Sequence, residues 1–550
     1  MKTLDRKTAS TRLVSRIIAI ARAKAAVVTF SYLLLLASAG PARGQCPVAS
    51  VDPALRTPLG ITFSKKNNLL VAETGRTVNG GRISIVTPAG DRRTLIDGLP
   101  SGIQPAENQP SGPTGIFLRN RTLYVLIGEG DITVAGPFQG TQRPNPNPSS
   151  PIFASVLAIQ FSAAIERMTQ GFTLTPANQQ SLAQRQPVTL TNAAGEQIRI
   201  ELVAKFPNTS PAPFPDDPDN VRSSNPFDLV VVGNRIFVAD GGQNRIWRVD
   251  LPSGNFRDLV TFPPIPNPTP IGPPVLEAVP TGITFADGKL LVTLFRGFPF
   301  PAGTSTVQQV DPQTGSSSPL ISGLKAAIDV LPIQSDTDAN ASAAYLVLEH
   351  SSGATMLSGL GRLLRFNSPT AAPVVISDCI PVPTSMALDP ATGILYMTQL
   401  SGRIATIAVA AEPYNTEAGV PPTFLSISSR SRVQTGDDVM IAGFNAGEGT
   451  TDGSSTVLVR ALGPSLTSYG VSNVLQNPTL QVYDRTGTVI ASNDDWMQTQ
   501  RTDIEATGLA PGNPMESAIL LTVPPGAYTA IVRGVGNTTG TALLEVYSLR

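Results

Sequence analysis

A motif of about 50 residues recurs six times along this chain, and no other feature constrains its fold as strongly. Each copy opens with a short apolar strand: PLGITF (Pro58–Phe63), PTGIFL (Pro113–Leu118), PFDLVV (Pro226–Val231), PTGITF (Pro280–Phe285), AIDVLP (Ala327–Pro332) and PTSMAL (Pro383–Leu388). Second strands follow in register, starting at Leu69, Leu123, Ile236, Leu290, Tyr345 and Leu395, and a Gly-containing loop leads each into a third strand that alternates in polarity. Equivalent positions (Gly60, Gly115, Asp228, Gly282, Asp329, Ser385) are separated by 55, 113, 54, 47 and 56 residues. Small antiparallel sheets at this period predict a β-propeller of six blades over residues 45–410.

The long second interval predicts an insertion in blade 2, about residues 130–224, with helices at Ala163–Gln170 and Gln179–Gln186. The alternative is a seventh blade, for which no first-strand motif is present. Closing the ring requires the sixth blade to borrow its outer strand, because an unpaired edge is a liability, and the residues after Gln45 are placed to supply it.

The first 44 residues hold eight basic residues against one acid, Asp5, around an apolar run from Ala25 to Ala39 that ends in small residues. This reads as a signal peptide over 1–44, with an uncleaved anchor as the alternative, and predicts an exported protein in the periplasm, at the cell surface or outside it. Its removal leaves no transmembrane span expected. The remaining chain holds 32 basic and 39 acidic residues, a balance that argues against nucleic acid as a partner. In an oxidising compartment Cys46 and Cys379, the two cysteines present, are expected to form a disulfide near the closing blade; two unpaired thiols are the alternative.

A Pro-containing linker, residues 411–423, precedes a different pattern over 424–550: short strands such as TVLVRALG, TLQVYD and AYTAIVRG with Gly turns between them. The expectation is an antiparallel, jelly-roll-like β-sandwich. The segments RALGPSL (Arg460–Leu466), NPTLQVYD (Asn477–Asp484) and NDDW (Asn493–Trp496) are similar to a terminal module found on diverse exported bacterial proteins, which implies attachment.

Around Ser111–Gly115, Asn225–Asp228, Ile246–Asp250, Val279–Gly282 and Arg296–Ala302 the chain resembles the ScyD/ScyE family of exported propellers, and more distantly NHL-type and gluconolactonase-type propellers. The resemblance spans about Leu55 to Ala408. It implies an exported six-bladed propeller associated with a scytonemin-like secondary metabolite, and carries no catalytic residues across. Where gluconolactonases place a metal-binding Glu at the start of blade 1, this chain has Leu59-Gly60, so a lactonase mechanism does not transfer.

Topology singles out one set of candidates. Loops entering first strands and leaving second strands share a face, which gathers Glu73, Glu129, Asn225, Asp228, Asp240, Asp329 and Glu349 around the channel mouth, with Arg296 as the principal cation. Clustered carboxylates with an Asn oxygen suit Ca²⁺; the competing reading is a solvated acidic rim. His350, the one histidine, is the weak candidate for a catalytic base, against an ordinary loop role. Asn493, Asp494 and Asp495 form a second, weaker metal candidate beside a packed Trp496.

The functional expectation is a binding protein for a small molecule, glycan or protein on this acidic face, with Ca²⁺ as the one cofactor in view. The alternative is a metal-dependent hydrolase or oxidoreductase working at the channel.

Overall fold

The structure is a computed structural model and describes residues 48–64, 67–104, 108–138, 140–333, 344–354, 356–389, 391–409, 426–436, 438–446, 455–524 and 526–549. The chain is all-β and divides into two compact units, Met1–Gly419 and Val420–Arg550. The proposed signal segment and linker lie outside the described residues. Among the described residues no helix is long and apolar enough to cross a membrane.

Among the described residues the first unit contains six sheets of four or five strands, numbered in chain order and antiparallel save for one added strand in the first, together with four two-stranded ribbons. Their innermost strands are Pro58–Phe63, Pro113–Arg119, Pro226–Val232, Pro280–Ala286, Ala327–Ile333 and Pro383–Leu388. Each packs beside the innermost strand of the next sheet, and the sixth packs beside the first. The ring closes through the N-terminus: Ala49–Val51 pairs with Ile404–Ala408, with Ala49 opposite Thr406, and becomes the outer strand of the sixth sheet.

Side chains of the innermost strands tie neighbouring sheets together in alternation. Hydroxyls in the even sheets donate forward to main-chain oxygens: Thr114 to Pro226 at 2.8 Å, Thr281 to Ala327 at 3.3 Å and Thr384 to Pro58 at 2.9 Å. Carboxylates in two odd sheets accept from main-chain N–H groups: Asp228 from Ile283 at 3.0 Å and Asp329 from Met386 at 2.9 Å. The first sheet has Gly60 at the aspartate position, and there Thr74 donates to the Pro113 oxygen at 3.1 Å. All six junctions thus satisfy main-chain groups that would otherwise be buried unpaired.

Residues 130–224 prove to be several insertions, because this interval also contains the second sheet's own third and fourth strands, Ser155–Gln160 and Gln197–Lys205. Between those strands lie helices Ala163–Met168 and Pro176–Ala183 and the strand Phe172–Thr173, which pairs parallel to Arg92–Leu99 of the first sheet. The insertion therefore covers a neighbouring sheet's exposed edge, and Gln179 fastens it by donating to Asn79 at 2.9 Å. The second helix lies three residues N-terminal to its sequence expectation because Thr175 caps it in a capping box and Pro176 occupies its first turn.

Cys379 lies on Val374–Ile380, the outer strand of the fifth sheet, one sheet before the closing one. Cys46 lies outside the described residues, and so does the expected pairing. The second unit has two four-stranded antiparallel sheets. Their inward residues, Val457, Val459, Leu480, Val482, Val532 and Val546 among them, share one core by strict alternation along each strand.

Candidate functional site

One hydrogen bond repeats in all six sheets and builds the loop face. The residue before each first strand accepts from the N–H just past the second strand: Thr57 from Thr74, Gly112 from Gly128, Asn225 from Gly241, Val279 from Phe295, Ala326 from His350 and Val382 from Leu400. Immediately inside it, every first strand carries a register shift between its opening residue and the second or third residue after it. Bulges re-aim the side chains beside them. Thr57, Val279, Ala326 and Val382 take positive φ to make this turn, an unfavourable backbone for any residue with a Cβ and most of all for the three that are β-branched, held by the same bond in each sheet. Entering and leaving loops thus lie side by side on one face, as the topology argument requires.

Three of the candidate carboxylates sit under this face and pin its loops. Glu73, with no exposed surface, receives Arg82 on both oxygens, the Ser84 hydroxyl, and the Arg56 N–H at 2.6 Å. Glu349 repeats the arrangement in the fifth sheet, with Arg362 Nε at 2.6 Å and the Lys325 N–H at 2.7 Å. Burial raises the Glu349 carboxyl, while the Lys325 N–H and Arg362 hold it down. Asp240 takes this role in the third sheet, accepting from the Asn225 N–H at 2.8 Å, Trp247 Nε1 at 2.9 Å and the Ser224 hydroxyl. Glu129 receives the Ser223 hydroxyl.

The expected open acidic rim therefore differs from what is observed. These carboxylates face inward because donors wait there: for Glu73 and Glu349 the arginines directly opposite on the adjacent third strand, Arg82 and Arg362, and for the others hydroxyls, the Trp247 indole and the N–H groups of the loops themselves. Sequence order alone could not show that Arg82 and Arg362, rather than Arg296, are their counter-ions.

Asp228 and Asp329 stand apart on the innermost strands. Burial and then the charge of Asp329 hold the Asp228 carboxyl well above the usual carboxylate range. Asp329, with 9% of its surface exposed, is pushed up to about 6 by burial, partly offset by the Met386 N–H and the Ser385 hydroxyl. Asp228 keeps somewhat more accessible surface, yet protein atoms surround its carboxyl closely. Glycine stands beside each: a Cβ at Gly115 would lie 2.7 Å from Asp228 Oδ1, and one at Gly282 would lie 2.8 Å from Asp329 Oδ1.

His350 is buried, 5% exposed, with Nδ1 2.8 Å from the Pro383 oxygen and its ring edge-on to Phe295. Burial lowers it to about 4, so it is neutral near pH 7 and serves as a donor between the fifth and sixth sheets. Arg296 is also buried, with its Nε donating to the Thr304 oxygen at 3.1 Å. Among the described residues no group of three or more His, Cys, Asp or Glu side chains is placed to hold a metal ion.

The face contains a cavity that the sequence reading missed. About 390 Å³ opens between the sixth and first sheets, lined by Arg56, Thr57, Arg76, Thr77, Leu400 and Ser401. Arg56 and Arg76 are exposed, so this part of the mouth is basic. Its walls come from opposite ends of the repeat array, and only ring closure brings them together.

In the second unit Asn493 is spent internally. Its Oδ1 accepts the Ala518 N–H at 3.0 Å and its Nδ2 reaches the Asp495 oxygen and Thr499. Burial and then the neighbouring Asp495 raise Asp494, while Trp496 is buried with its Nε1 donating to the Asn513 oxygen at 3.1 Å. The loop is a turn clamped by an indole, with the Asn493 side chain bonded on both its oxygen and its nitrogen within the unit.

No family model matches the chain, and no curated protein matches it. Similar solved structures include a putative oxidoreductase (glucose dehydrogenase) from Thermus thermophilus, at 14% identity over 66% of this chain and 100% of that one, TM-score 0.36. A gluconolactonase from Xanthomonas campestris matches at 11% identity over 68% and 98%, TM-score 0.36. The soluble aldose sugar dehydrogenase of Escherichia coli matches at 12% identity over 66% and 98%, TM-score 0.36.

Proposed function

We propose that the six sheets are the blades of one six-bladed propeller, exported from the cell, that binds a small molecule or glycan in the cavity between the sixth and first blades. The cavity carries this reading: its volume of about 390 Å³ suits a small organic ligand, and it combines two guanidinium groups, three hydroxyls and the apolar walls of Leu55 and Leu400. The carboxylates beneath hold the loops rigid, as a preorganised site requires. The second unit, read as a sandwich, would serve attachment, and the ordered motifs shared with ScyD/ScyE proteins support a secondary metabolite as ligand.

Titration calorimetry of the full chain against a panel of glycans and small aromatic metabolites tests the reading. Ser401→Trp, which fills the cavity from an exposed position, should abolish binding without lowering Tm. Binding that survives this substitution, or that only a protein partner shows, overturns it.

A second reading, a hydrolase or oxidoreductase at the channel, is favoured by one observation: two carboxyls with raised proton affinity on adjacent odd blades, Asp228 and Asp329. Calcium dependence rests on the same pair. Turnover of lactones or aldoses, or stabilisation by CaCl₂, either one lost in Asp329→Asn, would support it.

A further inference from the structure

We propose that the loops leaving the second strands of the fourth and fifth sheets form an anion subsite in which Arg296 and Ser351 take the carboxylate of a small organic acid. The inference is independent of the cavity above, which lies two sheets further round the ring.

Arg296 is 6% exposed, yet no carboxylate pairs with it among the described residues and its Nη1 meets no protein acceptor. A guanidinium does not shed its proton to escape burial, so the charge stays and calls for a counter-ion. The nearest acidic residue along the opposing loop, Glu277, is already engaged by Arg222 and Asn244. Burial alone lowers the proton affinity of Arg296, with no carboxylate acting against it.

Ser351 occupies the equivalent position one sheet later, two residues past the second strand. It is 2% exposed, and its hydroxyl also meets no protein partner. The loops carrying the two residues are stitched together: Ala302 donates to the Ala354 oxygen at 2.9 Å, Met356 to the Pro299 oxygen at 2.7 Å, and the Lys325 ammonium bridges the Phe300 and Met356 oxygens. Two orphaned buried donors on adjoining loops match the two oxygens of a carboxylate, for which the planar guanidinium fork is well suited. The Arg296 loop also carries Phe295, Phe298 and Phe300 in edge-to-face contact, an apolar wall for the acid's organic body.

The test compares benzoate with its neutral isostere benzamide on the full chain, by thermal shift and calorimetry at constant ionic strength. Benzoate should raise the wild-type Tm in a dose-dependent way and benzamide should not. Arg296→Met should lose the benzoate shift and, without anion, melt no lower than wild type, because an uncompensated buried charge has gone. Ser351→Ala removes only an unpartnered hydroxyl, so it should fold normally and weaken benzoate 3- to 10-fold. Ser401→Trp should leave benzoate binding intact. A benzoate shift that persists in Arg296→Met, an equal shift from benzamide, or full benzoate affinity in Ser351→Ala overturns the proposal. If Arg296→Met fails to fold, Arg296→Lys decides: its compact ammonium should bind benzoate at least 5-fold more weakly, and unchanged affinity overturns the inference.

Discussion

Asp329 reaches across the junction of the fifth and sixth sheets to accept the Met386 main-chain N–H at 2.9 Å. Asp228 makes the same reach to Ile283 one odd sheet earlier. These aspartates join the innermost strands of neighbouring sheets, and they do so from a site that disfavours their charge.

That conflict gives a pH dependence. The folded chain holds the Asp329 proton up to about pH 6, whereas the unfolded chain releases it near 3.8. Between those values the folded state binds more protons, so stability falls as pH rises, by about 3 kcal/mol in all. Asp329→Asn keeps an acceptor for the Met386 N–H and should flatten this slope in urea denaturation run from pH 4 to pH 7.

His350 acts in the opposite sense. Its folded proton affinity, lowered to about 4 from 6.5, means that stability is lost as pH falls through that window, because the unfolded chain takes up the proton first. His350→Asn should remove this acid-side loss and cost about 1 kcal/mol at pH 7 through the missing bond to Pro383. Denaturation midpoints at pH 4.5 and pH 7 read both effects.

The glycines beside the aspartates should tolerate no side chain. Gly282→Ala places a Cβ 2.7 Å from Asp329 Cα, a backbone clash, and should cost about 1–3 kcal/mol by chemical denaturation. Ser385, the equivalent residue of the sixth sheet, faces a sheet whose own position is Gly60. Ser385→Ala should lose no more than about 1 kcal/mol, the value of its bond to Asp329.

Breaking a loop pin should be costlier. Glu73→Gln leaves the buried Arg82 without its counter-ion, and the expected loss is about 3–5 kcal/mol in denaturant midpoint analysis.

The disulfide expected between Cys46 and Cys379 should contribute about 5–6 kcal/mol in the chain-entropy picture under oxidising conditions, since it would close a loop of more than 300 residues. Cys46→Ser should lower Tm accordingly, and non-reducing peptide mapping should find the linked pair in the wild type. An unchanged Tm would remove the bridge.

Much of the architecture was legible because strand patterning is local. The motif at Pro58, Pro113, Pro226, Pro280, Ala327 and Pro383 marks six innermost strands, and the polarity of each following strand marks its sheet partners. The need to cover a sheet edge placed the N-terminal strand correctly beside Ile404–Ala408. The interval 130–224 was less legible, since strands Ser155–Gln160 and Gln197–Lys205 sit among insertions that obey another sheet's edge rather than their own repeat.

The candidate site divides the same way. The sequence by itself determined which loops share a face and which carboxylates lie at their ends, because both follow from strand order. Only the tertiary structure decided what those groups do. Whether Glu73 meets solvent, a cation or Arg82 depends on side-chain direction after a bulge, and whether Arg296 finds a counter-ion depends on which loops from neighbouring sheets reach it. Ring closure likewise brought Arg56 and Ser401 to one cavity from positions more than 300 residues apart, a proximity that no local pattern encodes.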